Sequence, residues 1–237
     1  MKYFIVADVH GFYEEMIDAL NKAGFDKDNP DHIFVSLGDL LDRGEQPREC
    51  LQFVMGLDPT RRVLVRGNHE DLIEDALNRK EFLYHDWHNG TVGTIMTLGE
   101  EYWNERRACN KVQKMKLYQD YQNSLVNYYE TETGIFVHGW IPETAYDWRF
   151  ATEDEWKAAR WKNGMAEYAD EKADEKTIYC GHWHTSWGHA KLHKVCSEFD
   201  KDAIFTPFID PPEDPKIIAL DACTAYSKFV NCYVLEE

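Results

Sequence analysis

The feature that most constrains this chain is a unit that recurs through its first eighty residues. Each copy is a short apolar run, a polar loop, and a stretch of helical period. Tyr3–Ala7 runs into Asp8-Val-His10-Gly and then a helix predicted near Tyr13–Ala23, with Met16, Ile17 and Leu20 on one side. Ile33–Leu37 runs into Gly38-Asp39, with a helix predicted near Pro47–Leu57. Arg62–Arg66 runs into Gly67-Asn68-His69-Glu70, with a helix predicted near Asp71–Asn78. Strand–loop–helix alternation specifies an α/β sheet. Ligands in such sheets sit beyond the carboxyl ends of the strands, where these three polar loops fall.

Further along the pattern changes. Residues 79–133 are rich in Trp, Tyr, Lys, Gln and Asn, and Lys111–Tyr129 reads as helix, so this stretch is expected to be a mostly helical insertion or cap. Strands are expected again at Gly134–Val137, Thr177–Cys180, Ile217–Leu220 and Phe229–Leu235, with helices at Glu153–Lys162 and Met165–Lys172 and a loop at Thr206–Pro215. At 237 residues the chain is long enough for one domain with a well-buried core, taken as 1–237. No apolar run approaches the roughly 20 residues needed to span a bilayer. The start, Lys-Tyr-Phe-Ile-Val-Ala, lacks the basic opening and cleavage site of a signal peptide, so a cytoplasmic protein without membrane contact is expected. The six cysteines are scattered without a C-x-x-C pair and are given no role.

A formal charge of −17 argues against nucleic-acid binding, which draws on a basic face. It also repels an anionic substrate unless a cation site or a local arginine reverses the field. The polar clusters supply candidates for both: Asp8-Val-His10, Gly38-Asp39-Leu-Leu-Asp42-Arg43-Gly44, Gly67-Asn68-His69-Glu70, His138-Gly139 and Gly181-His182-Trp-His184. Asp and Asn oxygens with imidazole nitrogens suit borderline divalent metals such as Mn, Fe or Zn. Asp8 and His10 share a face if the strand geometry continues, and a carboxylate such as Asp39 can bridge two ions. Taken singly, Asp-x-His or His-Gly is weak. Gly-Asp-x-x-Asp-Arg-Gly fixes five residues, a chance match on the order of one in ten thousand for this length. Its pairing with Gly-Asn-His-Glu after another predicted strand makes coincidence a poor account.

These motifs, from Asp8 to His182, resemble those of the calcineurin-like metallophosphoesterases, in the branch of the phosphoprotein phosphatases, their bacterial and phage relatives, and the symmetrical diadenosine tetraphosphatases. The resemblance implies two mixed β-sheets sandwiched between helices. It implies two divalent metals, Mn first with Fe, Zn or a mixed pair as alternatives. Asp8 and His10 would lie on one, Asp39 would be shared, and Asn68, His138 and His182 would lie on the other. A hydroxide bridging the metals would be the nucleophile. His69 would protonate the leaving alkoxide, oriented by Asp42, and Arg43 would bind phosphate oxygens beside Asn68.

His184 departs from the branch and is either a further ligand or a group facing the substrate. The second phosphate-binding arginine is Arg149 or Arg160. Asp221 is expected to orient a metal histidine. Trp140 and Trp183, beside ligands, either wall the pocket and stack on a base or pack in the core. The leading functional reading is a phosphatase for phosphoproteins or small phosphate monoesters. A diadenosine polyphosphate pyrophosphohydrolase is the alternative, with a nuclease or a non-catalytic scaffold further behind.

Overall fold

The first strand, β1 (Lys2–Val6), is buried on both faces after Lys2, which its near-continuous apolar run foretells. In the computed structural model, which describes residues 1–144, 146–168, 176–193, 204 and 217–237, β1 is followed by α1 (Tyr13–Ala23), β2 (His32–Ser36), α2 (Pro47–Gly56), β3 (Arg62–Val65) and α3 (Asn68–Arg79). Four further helices come next: α4 (Tyr84–His88), α5 (Thr91–Gly99), α6 (Glu105–Lys114) and α7 (Lys116–Ser124). Then come β4 (Leu125–Val126), β5 (Tyr129–Glu130), β6 (Gly134–Phe136), α8 (Glu153–Ala159) and α9 (Gly164–Glu167). The described chain ends with β7 (Thr177–Cys180), α10 (Thr185–His193), β8 (Ile217–Ala219), α11 (Thr224–Ser227) and β9 (Cys232–Glu236).

The strands form two mixed sheets, ordered β4-β3-β2-β1-β9 and β5-β6-β7-β8. All neighbours are parallel except β9 on β1 and β5 on β6. Alternation along the strands sorts the core into three layers. Tyr3, Ile5, Val35 and Leu37 meet Phe136, Tyr179, Ile218 and Leu220 between the sheets. Phe4, Val6, Phe34 and Leu64 turn outward to the helices of the first half, including Met16, Leu51, Ile73, Ile95, Val112 and Tyr121. Ile135, Val137, Ile178 and Ile217 turn outward to Trp140, Trp148 and Trp156. The two-sheet sandwich between helices expected from the sequence is what the chain adopts.

Local boundaries differ in instructive places. α3 starts at Asn68 rather than Asp71, because Glu70 Oε2 reaches back to accept the Gly67 N–H at 2.8 Å and caps the first turn. The helix expected over Lys111–Tyr129 breaks at Met115, whose backbone is extended (ψ 115°), and ends as β4 joins β3. Helices α5, α6 and α7 lie on the first sheet's core through Ile95, Val112 and Tyr121. Cys196, the loop at 206–215, and the end of the helix expected at Met165–Lys172 lie outside the described residues. Among the described residues no helix is long and apolar enough to cross a membrane.

Candidate metal centre and active site

Where the parallel strands end, the backbone turns abruptly. Asp8, His10, Asp39, Asp42, Arg43 and His182 all have positive φ, between 49° and 74°. Left-handed backbone at a non-glycine residue costs on the order of 1–3 kcal/mol and persists only where the surroundings enforce it. Here the enforcement is a continuation of the sheet ladder into the loops. His10 N–H donates to Asp39 O at 2.9 Å and Gly11 N–H to Leu40 O at 2.8 Å. The two sheets are sewn together at the same level. The His138 ring donates through Nδ1 to Leu37 O at 2.7 Å, and the His182 backbone N–H donates to Asp8 Oδ2 at 2.9 Å.

Asp39 is the centre of the arrangement. Among the described residues its carboxylate belongs to two buried or nearly buried trios whose ligand atoms lie within 4.8 Å of one another, His10–Asp39–His69 and Asp39–His138–His182. The imidazole tautomers are set by their other bonds. His10 gives its Nδ1–H to Leu41 O at 3.0 Å, as His138 does to Leu37 O. Each then aims the lone pair of Nε2 at Asp39, at 3.8 Å and 3.4 Å. His138 Nε2 also faces Asn68 Oδ1 at 2.8 Å, so two lone pairs meet with no proton between them. Lone pairs and carboxylates converging in a buried space, with each ring's far N–H anchored on a carbonyl, are what a divalent cation requires of its ligands.

The electrostatics agree. Burial, with Asp221 and Asp39 close by, holds the Asp8 carboxyl well above its ordinary range. Burial likewise pushes Asp221 up to about 7. Asp39 differs: burial opposes its charge, but His138, His69, His10 and His182 together hold it well below the ordinary range. Burial keeps His10 and His182 neutral, the latter lowered to about 3, with His138 adding to the effect there. Neutral imidazoles around crowded buried carboxylates fit cations.

His69 is committed differently. Its Nδ1 donates to Asp42 Oδ2 at 2.8 Å, which leaves Nε2 facing the Arg43 guanidinium at 3.2 Å. Burial works against a charged ring here, yet Asp39 and Asp42 outweigh it and raise the pKa. Asp42 is itself fixed by the Thr91 hydroxyl at 2.7 Å, while its N–H donates to Thr94 at 3.0 Å. Glu70, to which the sequence alone gave no role, accepts from the N–H groups of Asp39, Leu40 and Gly67 and from the Tyr121 hydroxyl, all at 2.8–3.1 Å. It pins the Asp39 loop to the start of α3. The signal for it was its place in Gly-Asn-His-Glu.

The structure thus brings together Asp8, His10, Asp39, Asp42, Arg43, Asn68, His69, His138 and His182. Asp8 differs in one respect: its Oδ2 is turned to the His182 N–H, and His69 rather than Asp8 joins the tighter trio around His10. His184 stands outside both trios, its Nδ1 2.5 Å from Ser186 Oγ. Arg160 is buried with Asp71 at 2.8 Å and with Glu153 and Asn127, so its guanidinium braces α3 against α8. Arg149 forks onto Glu130 at 2.8 and 2.9 Å and lies over the Trp148 ring. Trp140 is a core side chain, whereas Trp183 is partly exposed. Asp221 lies in Coulombic reach of Asp8 and accepts the Cys223 N–H at 2.6 Å.

A methyl group on Gly181 would collide with Asp8 Oδ2 and come within 2.9 Å of Ala7 Cβ. Gly181→Ala is therefore expected to lower stability by about 1–3 kcal/mol and to weaken cation binding. Urea unfolding with and without Mn measures both.

Two facing mixed sheets, with one carboxylate shared between sets of O and N donors at the strand ends, define a class of metal-centred α/β folds. Residues 1–206 match the model of the calcineurin-like phosphoesterase family, and the chain belongs to that family. It is 28% identical over 160 residues to a symmetrical bis(5′-nucleosyl)-tetraphosphatase of Pasteurella multocida, covering 55% of this chain and 57% of that one. It is 36% identical over 112 residues to the serine/threonine-protein phosphatase PP1-delta of Caenorhabditis elegans, covering 46% of this chain and 35% of that one. The chain thus spans little more than half the length of the first relative and about a third of the second. A crystal structure of a putative diadenosine tetraphosphatase shares the fold, with a TM-score of 0.59 at 15% identity over 99% of this chain and 89% of that one.

Proposed function

We propose that the chain hydrolyses phosphate esters with two divalent cations. Asp8, His10 and Asp39 would hold one, and Asp39, Asn68, His138 and His182 the other, with Mn the first candidate and Fe or Zn the alternatives. The observation that carries this reading is the single Asp39 carboxylate shared by two buried or nearly buried trios of imidazole and carboxylate ligand atoms. When bound, the cations supply Lewis acidity that neutralises phosphoryl oxygens and acidifies water.

The chain's own residues supply the rest. The Arg43 fork binds phosphate oxygens and, through its charge, draws the anion into an acidic protein. His69, whose pKa Asp39 and Asp42 raise against burial, would give a proton at Nε2 to the leaving oxygen. Asp42 fixes the ring through Nδ1, which sets Nε2 3.2 Å from the Arg43 guanidinium. Glu70 and Tyr121 hold the Asp39 loop in register.

The leading substrate is a phosphomonoester of the phosphoprotein kind, in keeping with the name of the C. elegans relative. The alternative is a dinucleoside polyphosphate, in keeping with that of the P. multocida relative. The test is metal-free protein reconstituted separately with Mn, Fe and Zn and offered p-nitrophenyl phosphate, a phosphoserine peptide and diadenosine tetraphosphate. Turnover that appears only on reconstitution is expected. Turnover of none of the three with any metal would overturn the reading.

A further inference from the structure

Beside Arg43 a slot of about 430 Å³ is lined by residues of α4 and α11. That volume is in the range of small-molecule sites. Trp87 and Tyr226 both line it and are largely exposed, at 58% and 73%. His88, Asn89 and Arg43 line it as well.

The lining is tied to the site. Gly90 lets the α4–α5 junction close on Arg43, since a Cβ there would lie 2.7 Å from Arg43 Cα. α4 is anchored by the buried Asp86 carboxylate, which accepts from Leu83 N–H at 2.7 Å and from Arg79 at 2.6 Å. Trp87 is held edge-on against Phe82, with ring centroids 6.4 Å apart at 88°. Helix α11 follows Cys223, whose left-handed backbone is fixed by its bond to Asp221. The slot therefore shares Arg43 with the candidate site, where the guanidinium lies 3.2 Å from His69 Nε2.

We infer that this slot binds the nucleobase of a nucleotide leaving group, making Trp87 and Tyr226 specificity-determining residues. The inference rests on the phosphoesterase reading and favours its second substrate class, the nucleotide, over the phosphomonoester placed first there. Exposed aromatic faces are stacking platforms for bases, which all present a π-face. The Asn89 amide and the Trp87 indole N–H make no hydrogen bond within the described chain, so both are available to the polar edge of a base. A phenyl ring has no such edge, and a phosphoserine side chain has no ring to stack.

The test compares kcat/KM for diadenosine tetraphosphate with that for O-phosphoserine on the Mn-loaded chain. Trp87→Ala and Tyr226→Ala are each expected to lower the ratio of the two roughly tenfold, and Trp87→Phe to restore most of it. A ratio unmoved by either alanine variant would overturn the inference. So would an equal loss on phosphotyrosine, which would indicate a slot for any flat ring. Calorimetry provides an arm without turnover, with a non-hydrolysable phosphonate analogue of AMP set against methylphosphonate alone. The nucleoside is expected to tighten binding about tenfold in the wild type and not in Trp87→Ala. Equal affinities in the wild type would overturn the slot. Absence of all turnover with a nucleoside preference intact would instead overturn the catalytic reading and leave the slot standing.

Discussion

His69→Ala is expected to lower kcat by about 10²–10⁴-fold on an alkyl phosphate such as a phosphoserine peptide. On p-nitrophenyl phosphate the loss should be far smaller, because nitrophenolate departs without a proton. That contrast separates a proton donor from a residue that merely packs the site, since a packing defect lowers both rates together. Asp42→Asn is expected to act in the same direction through the ring it orients. It removes one of the two carboxylates that raise the His69 pKa, so the protonated form should be lost at lower pH. The alkaline limb of the pH–rate profile on the peptide should accordingly move down. Equal losses on the two substrates in His69→Ala would mean that the proton comes from elsewhere.

Removing the cations is expected to make stability fall as pH rises above about 6.5, and adding Mn back should reverse the fall. The sign follows from three groups. Asp221, pushed up to about 7, Asp8, held well above its ordinary range, and His69, raised, each bind a proton more tightly in the native state than in the unfolded chain, so each gives stability that is lost as pH rises through its folded-state pKa. Just above pH 6.5 the unfolded state therefore binds fewer protons, each proton still retained by the native state costs about 1.4 kcal/mol per pH unit, and for Asp221 the fall levels off once pH passes about 7. His10 and His182 act oppositely, since their lowered pKa values give stability that is lost as pH falls below 6.5. They are neutral in both states above that point and leave the alkaline trend clear. Cations bind the deprotonated carboxylates and stabilise by mass action, more at pH 8 than at pH 6.5. Urea midpoints of chelated and Mn-loaded protein across pH 6.5–8.5 measure this. A flat or rising midpoint in the chelated protein would show that the carboxylates are not forced together.

Much of this was legible in the sequence because the chemistry and the strand pattern coincide. Asp8, Asp39 and Asn68 each follow an apolar run, and parallel strands bring the ends of such runs to one edge. The facing sheets, too, follow from alternation along strands such as β1. What was not legible depends on partners distant in the chain. Nothing local announces that Arg160 meets Asp71 across 89 residues, or that Arg149 forks onto Glu130. Both read as available arginines until their carboxylates are seen. Tyr121 reaches Glu70 across 51 residues, and the break at Met115 carries neither glycine nor proline to mark it. Trp140, beside a ligand, could equally have walled the pocket or packed in the core, and it packs in the second core.

The helices between α3 and β4 do more than cover the first sheet. Thr91 and Thr94 grip Asp42, and Tyr121 holds Glu70, which in turn steadies the Asp39 loop. Anyone wishing to retarget this scaffold by transplanting that segment from a cousin would therefore be replacing part of the engine mount along with the bodywork. A chimera that omits these two threonines and the tyrosine should inherit a new entrance and a misaligned interior.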